Sequence, residues 1–321
     1  MTDNSSATLP GTSAISPGRA EPARHAGHAG HGWGLLGVAA FSFTVPFTRI
    51  TVEHGAMSPL FVGCGRAVIA ALLAAAPLTA TRQRLPRGLQ WARLGVVAAG
   101  VVVGFPLLTS FALTTASAGH GAVVIALLPA TTAVIAVLRG RERPPRTFWV
   151  TAGAGALAAV AFASLQGDRF GGLHWSDLLL LGAVGAAGTG YAEGGLLARE
   201  LGAWQTISWA LVLSAPLMAA GAGLSVARHA PSGTPVEWAA FAYLGVVSMF
   251  LGFFAWYCGL ATGPMAQVSQ IQLVQPVLTI CWAALLLHEH LGWPTVLGAV
   301  AVIACAAAAV RTRLGRAGGA R

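Results

Sequence analysis

Residues 118–142, AGHGAVVIALLPATTAVIAVLRGRE, and residues 265–289, MAQVSQIQLVQPVLTICWAALLLHE, carry a proline and a final glutamate at the same two positions of an apolar stretch. An offset of 147 residues aligns Pro129 with Pro276 and Glu142 with Glu289. The same offset aligns two further pairs, Trp91 with Trp238 and Leu113 with Leu260. A constant offset over so much of the chain predicts that one half is a duplicate of the other.

The composition is that of a membrane protein. Hydrophobic residues make up 55% of the 321 residues and charged residues only 9%, whereas an ordinary globular protein has about 25% charged residues. A soluble fold of this length would need more polar surface, and disordered chains are poor in apolar side chains. The four cysteines lie inside apolar stretches, which does not fit a disulfide framework. These exclusions leave a polytopic membrane protein.

Apolar segments long enough to cross a bilayer, about 20 residues each, follow one another from Trp33 to the end of the chain. The predicted spans are 32–52, 57–80, 91–114, 119–138, 147–166, 175–197, 204–226, 237–260, 265–287 and 293–311. We therefore predict an all-α bundle of ten transmembrane helices. Its predicted parts are a disordered cytoplasmic tail at 1–31, five-helix repeats at 32–166 and 175–311, and a second cytoplasmic tail at 312–321.

The arginines predict the orientation of the chain. All nineteen basic residues are arginines, and four lie between 82 and 93 and four more between 139 and 146. With a cytoplasmic N-terminus most arginines fall on the cytoplasmic side, which predicts an even number of spans, both termini inside and a location in the cell membrane. Because each repeat has five helices, an odd number, the second repeat must be inverted relative to the first. Basic charge in short loops does not predict a nucleic-acid-binding face.

The chain resembles the EamA-type branch of the drug/metabolite transporter superfamily over roughly residues 33–311. The resemblance rests on Gly65-Arg66 with the Ala-rich run that follows, on 118–160 with Pro129, Gly140 and Glu142, and on 265–306 with Gln275-Pro276 and His288-Glu289. His288 stands where the family usually has glycine. The resemblance implies a secondary transporter of small metabolites such as amino acids or drug-like compounds, often an exporter.

Two ionisable residues within predicted spans are candidates for function, because charge is costly in hydrocarbon. Arg66 is a candidate for binding an anionic group such as a carboxylate. Its alternative role is structural, with its guanidinium bonded to backbone carbonyls at a broken helix. Glu193 is a candidate for proton coupling. Its alternative role is that of an interfacial carboxylate that reaches water or Arg199.

Glutamines and aromatic residues complete the candidate substrate site. Gln267, Gln270 and Gln275 fall near one face of a predicted helix and suit a polar substrate, whereas Gln272 points elsewhere. These amides are equally suited to hydrogen bonds between helices. The aromatic candidates lie in spans expected at the repeat interface, where packing is the alternative role: Phe43, Tyr191, Trp256 and Tyr257.

Pro129 and Pro276 are predicted hinges, because a proline inside a helix removes a backbone hydrogen bond. Neither group of histidines predicts a metal site: one group is His25, His28 and His31 in the tail, and the other is His288 and His290 on either side of Glu289. No cofactor or P-loop motif is present in the sequence. We expect a small-molecule substrate and the lipid bilayer as partners and leave open a homodimer. A membrane-embedded enzyme and a non-transporting membrane protein are the alternative functions, although the sequence shows no set of catalytic residues.

Overall fold

The computed structural model describes residues 21–55, 57–140, 145–165, 174–262, 268, 271–290 and 292–317, and every regular element in those ranges is a helix. The first half contains α1 (Glu21–Ser42, continuing as Thr44–Val52), α2 (Pro59–Ala80), α3 (Leu89–Ala112), α4 (Ala118–Ile125, continuing as Leu128–Gly140) and α5 (Arg146–Leu165). The second half contains α6 (Trp175–Leu201), α7 (Ala203–Arg228), α8 (Pro235–Thr262), α9 (Gln272–Val274, continuing as Gln275–Leu287) and α10 (Trp293–Ala317).

Six helices in the described part of the chain are long and apolar enough to cross a membrane. They are Gly30–Val52, Pro59–Ala80, Leu89–Ala112, Ala118–Arg139, Ala203–Arg228 and Pro235–Thr262. Two shorter apolar segments, Gln272–Leu287 and Trp293–Ala308, accompany them. In the ranges that the structure describes, the protein is therefore all-helical, with several helices suited to a multi-pass membrane protein.

Local sequence explains where several helices begin. Ser58 and Ser117 each accept a backbone N–H from the first turn of the helix that follows, at 3.1 Å. Thr234 and Glu237 form a capping box at the start of α8. Gly202 has φ of 101°, a conformation that side chains disfavour, and this lets α6 pass directly into α7.

Five helices are interrupted in the described part of the chain, and four of these interruptions form repeat-related pairs, whereas that of α1 at Phe43 has no counterpart in α6. Helix α3 widens into a π-helical segment at Ala98–Gly104, and α8 does so at Leu244–Gly252. Helix α4 breaks between its two segments, and α9 contains a 3-10 turn at Gln272–Val274, directly after the helical residue Ile271. Since π-helical bulges in helices frequently mark functional sites, these segments point to the region where the two halves meet.

The helix contacts follow the duplication. Helix α2 packs along α7 and α5 along α10, so that equivalent helices of the two halves pair with each other. Helix α1 packs on α8 and α3 on α6. The 147-residue offset converts the first of these two contacts into the second. The core contains many small residues, which allow the helices to approach closely.

Some predicted boundaries differ from the structure. Helix α1 begins at Glu21, so residues 21–31 are helical, which differs from the disordered tail that the sequence predicts for 1–31. The segment has no apolar period, but it is rich in alanine, the best helix former, and has a proline at its second position. Helix α10 likewise runs to Ala317, beyond the predicted start of the C-terminal tail at 312.

Candidate functional site

Arg66 lies in the interior of the bundle. It projects from α2 and is only 1% exposed. One terminal nitrogen of the guanidinium donates to Thr48 Oγ1 and the other to Thr109 Oγ1, both at the long distance of 3.4 Å. The Nε–H has no hydrogen-bond partner among the residues that the structure describes. Arg66 is therefore a buried cation with donor capacity to spare.

A small cavity adjoins Arg66, and helices of both halves line it. Its volume is about 20 Å³, which is room for about one water molecule. The lining residues are Phe41 and Thr44 from α1, Arg66 from α2, Val101, Phe105 and Pro106 from α3, Tyr191 from α6, Ser248, Met249 and Phe253 from α8, and Gln275 from α9. The conformation described is thus nearly closed around the arginine.

The two π-helical segments help to form this cavity. Val101 lies in the π segment of α3, and Ser248 and Met249 lie in that of α8. Across the seam between the halves, the hydroxyl groups of Thr44 and Ser248 hydrogen-bond each other at 2.7 Å. A widened turn shifts the side chains that follow it, and the shift brings polar and aromatic groups from both halves to one point.

Two buried polar atoms of residues that line the cavity have no hydrogen-bond partner in the described part of the chain. They are Nε of Arg66 and Oε1 of Gln275, and Nε1 of Trp256, whose ring packs on Tyr191, is unpaired among the described residues as well. Buried polar atoms are normally paired. Two unpaired atoms on residues that line one cavity indicate a place where water or a ligand supplies the missing bonds.

The structure brings some of the predicted site residues to the cavity and leaves others away from it. Arg66, Tyr191 and Gln275 line it. Phe43 does not, because its ring stacks on Trp282 with centroids 4.4 Å apart. Trp256 and Tyr257 are fully buried behind the cavity wall, where Trp256 packs on Tyr191.

The structure describes two of the four glutamines discussed above, Gln272 and Gln275. Gln272, predicted to point away from the other glutamines, is buried at 2% exposure and is not among the residues that line the cavity. Gln267 and Gln270 lie outside the described residues.

Glu193 takes part in a cluster of ion pairs near one end of the bundle. Its carboxylate accepts from Nε of Arg93 on α3 and, at 2.8 Å, from Nε of Arg139 on α4. Arg93 also binds Glu200, which lies about two helical turns beyond Glu193 on α6. The predicted alternative partner, Arg199, is not among these bonds. The cluster ties α3, α4 and α6 together.

A larger open depression lies beside this cluster. It has a volume of about 540 Å³ and is lined by Arg82, Gln83, Arg84, Leu85, Arg87, Gln90, Glu200, Leu201, Gln205 and Trp209. Its three arginines belong to the loop between α2 and α3, so the depression opens at the arginine-rich end of the bundle. The ion pairs of Glu193 lie close to it through Glu200.

Both predicted hinge prolines lie where a helix resumes after an interruption. Pro129 is the second residue of the second segment of α4, and Pro276 holds the same place in α9. Proline is well tolerated in a first helical turn, where its missing N–H would be unpaired in any case. The positions of Pro129 and Pro276 are therefore compatible with the interruptions of α4 and α9 that precede them.

Sequence reasoning missed the hydroxyl groups of the site and the partners of Glu193. Thr44 and Thr48 are spaced four residues apart, which places them on one face of α1. That spacing was a usable signal for the polar side of α1. No comparable signal marked Ser248 or Arg93, because only the packing of α8 and α3 brings them into place.

Comparison with known proteins agrees with this architecture. The model of the EamA-like transporter family matches twice, at residues 28–164 and 174–311. A Bacillus subtilis (strain 168) protein named Uncharacterized transporter YdeK is 44% identical over 291 residues, which is 88% of this chain and 97% of that protein. A crystal structure with 19% identity has a TM-score of 0.62 and covers 90% of this chain and 99% of its own. At that identity the likeness shows the fold alone.

Proposed function

Because the chain belongs to the EamA-like transporter family, we propose that it is a secondary transporter, which exports a small metabolite by alternating access without ATP. The single observation that carries the proposal is Arg66, a buried cation that lines a cavity formed by both halves and whose Nε–H has no partner among the described residues. Transporters built from repeats bind their substrates near the bilayer midplane at the repeat interface.

The proposed topology is ten transmembrane helices in two inverted five-helix repeats, with both termini in the cytoplasm. Two features support it: equivalent helices pair across the bundle, and each half has an odd number of helices. The arginine-rich loop between α2 and α3 then faces the cytoplasm, as the positive-inside rule favours.

The proposed substrate site comprises Arg66, Tyr191, Gln275 and the hydroxyl groups of Thr44 and Ser248. The cavity of about 20 Å³ is too small for a metabolite. Substrate binding therefore requires the helices to move apart. Bending at Pro129 and Pro276, where α4 and α9 are already interrupted, would supply that movement symmetrically in the two halves.

Glu193 is the proposed coupling residue. Its carboxylate holds Arg93 and Arg139 at the predicted cytoplasmic end. Protonation would remove the charge that binds both guanidinium groups, and α3, α4 and α6 could then separate. The coupling role predicts that Glu193→Gln abolishes accumulation driven by a pH gradient in proteoliposomes. Unchanged accumulation would exclude it.

The proposed activity can be tested without knowing the substrate. Metabolites are compared between cells that express the protein, cells that lack it and cells that express Arg66→Gln. A transporter changes the distribution of at least one metabolite between cells and medium, and the variant loses that change. Arg228→Gln, at the exposed end of α7, is the matched control and should behave as the unmodified protein. Identical profiles with and without the protein would count against transport.

A further inference from the structure

Arg66 has no carboxylate counter-ion in the described part of the protein. Its two hydrogen bonds go to threonine hydroxyls, and neither goes to a backbone carbonyl. Arg49 on α1 shows the contrast, because its guanidinium is satisfied by the carbonyls of Leu113 and Thr114 and by Glu53. A structural arginine in a membrane protein hydrogen-bonds to backbone carbonyls. Arg49 does so, and Arg66 does not.

The other carboxylates are not free to neutralise Arg66. Glu193 and Glu200 bind Arg93, and Glu289 accepts the backbone N–H groups of Ala118 and Gly119 at the start of α4. Every carboxylate whose side chain the structure describes has a partner other than Arg66. These carboxylates are Glu53, Asp177, Glu193, Glu200, Glu237 and Glu289. Arginine keeps its proton in proteins, and a buried charge without a partner is costly.

Aromatic rings form part of the cavity wall beside Arg66. Phe41 and Phe253 meet edge to face with ring centroids 4.8 Å apart, and Tyr191 contacts both. An apolar or aromatic group of a ligand would lie against these rings. The polar groups that remain, Gln275 and the paired hydroxyls of Thr44 and Ser248, are neutral.

These charges distinguish between classes of substrate. A carboxylate with an apolar body would neutralise Arg66 and use its unpartnered N–H. A zwitterionic amino acid would leave the site with a net positive charge, because its ammonium group would meet only neutral acceptors. A cation would add a second positive charge to the buried one.

We infer that the Arg66 cavity binds a net organic anion, a monocarboxylate with an aromatic or apolar body and no ammonium group. The inference rests on the proposed transport function and narrows its substrate class. Arg66 binds the carboxylate, and the rings of Phe41, Tyr191 and Phe253 hold the body.

The test uses the purified full-length protein in detergent and four probes that share one body but differ in charge: 3-phenylpropionate, 3-phenylpropionamide, phenylalanine and phenethylamine. Dissociation constants are measured from the quenching of tryptophan fluorescence, with inorganic chloride as a fifth ligand. We expect the carboxylate to bind at least about tenfold more tightly than the other four ligands, since charge-assisted hydrogen bonds favour it.

Variants then locate the binding site. Arg66→Gln should lose the preference for the carboxylate over the amide, and Arg66→Lys should keep part of it, because lysine retains the charge but not the planar fork. Arg228→Gln should keep the preference in full. The probe series on the unmodified protein does not depend on whether a variant folds.

Each other result overturns the inference. If phenylalanine bound as tightly as 3-phenylpropionate or more tightly, the site would be specific for a zwitterion. If chloride bound as tightly as 3-phenylpropionate, the aromatic rings would contribute nothing to binding. Binding of none of the probes, or a carboxylate preference that survives Arg66→Gln, would also overturn it. None of these results bears on transport itself, which the metabolite comparison decides.

Discussion

Arg139 on α4 donates its Nε–H to the carboxylate of Glu193 on α6 at 2.8 Å, and the arginine side chain is 55% exposed while that of Glu193 is only 5% exposed. Arg93 on α3 binds the other oxygen of the same carboxylate. One nearly buried acid thus links three helices at the end of the bundle where the large depression opens. Removal of its charge leaves two guanidinium groups without their shared partner.

Glu193→Gln should therefore destabilise the protein. A neutral amide keeps the size of the side chain but cannot neutralise Arg93 and Arg139. We expect a loss of about 2 kcal/mol in the free energy of unfolding, the usual scale for hydrogen bonds to charged groups. The measurement is chemical denaturation in detergent.

Glu53→Gln is the matched control for this prediction. Glu53 pairs with Arg49 one turn away on the same helix, and its side chain is 35% exposed. Such a pair contributes about 0.3–0.5 kcal/mol, so the control should unfold almost as the unmodified protein does. Equal losses in both variants would contradict the importance of the three-helix cluster.

The hydrogen bond between Thr44 and Ser248 should couple the two halves energetically. In a double-mutant cycle, Thr44→Val and Ser248→Ala each leave one buried hydroxyl without its partner, and the double variant leaves none. We expect a coupling of about 1 kcal/mol between them in the free energy of unfolding. Strictly additive effects would mean that the bond contributes nothing.

Gly100→Ala should interfere with the packing of α3 against α6. A Cβ added to Gly100 would lie 2.4 Å from the backbone oxygen of Ala186 and 2.9 Å from the backbone nitrogen of Gly190. Backbone atoms cannot move aside as a flexible side chain can, and overpacking of this kind costs about 1–3 kcal/mol. Reduced stability in detergent, followed by size-exclusion chromatography after heating, is the expected result.

Gly95→Ala on the same helix is the control. A Cβ there meets nothing within 4 Å, and alanine is the better helix former. The variant should match or exceed the unmodified protein in stability. A Gly95→Ala variant as unstable as Gly100→Ala would show that the backbone contact with α6 is not the cause.

Glu289 should contribute to stability as a cap contributed from the opposite half of the chain. Its two carboxylate oxygens accept the N–H groups of Ala118 and Gly119 at 2.7 and 2.8 Å, at the positive end of α4. Glu289→Ala should lower the free energy of unfolding by about 1 kcal/mol. Glu289→Asp, which retains the charge but not the reach, should recover only part of the loss. If Glu289→Ala left the free energy of unfolding unchanged, that result would contradict the capping role.

Much of the candidate site was predictable because it depends on rare residue types. Arg66 and Glu193 were identifiable since charged side chains are scarce and costly within apolar segments. The role of Glu193 was less accessible: its partners Arg93 and Arg139 lie 100 and 54 residues away. Phe43 and Tyr191 were indistinguishable by sequence, since both are aromatic residues in spans, yet only Tyr191 reaches the cavity.

The sequence by itself determined the helical class, the duplication and the charged residues that had to be satisfied inside an apolar bundle. These three features follow from the amino-acid composition and from the constant offset of 147 residues, both of which are visible in the linear sequence. The tertiary structure alone decided which groups meet. The widened turns of α3 and α8 and the 3-10 turn of α9 rotate side chains out of simple helical register, and contacts across the seam depend on that rotation.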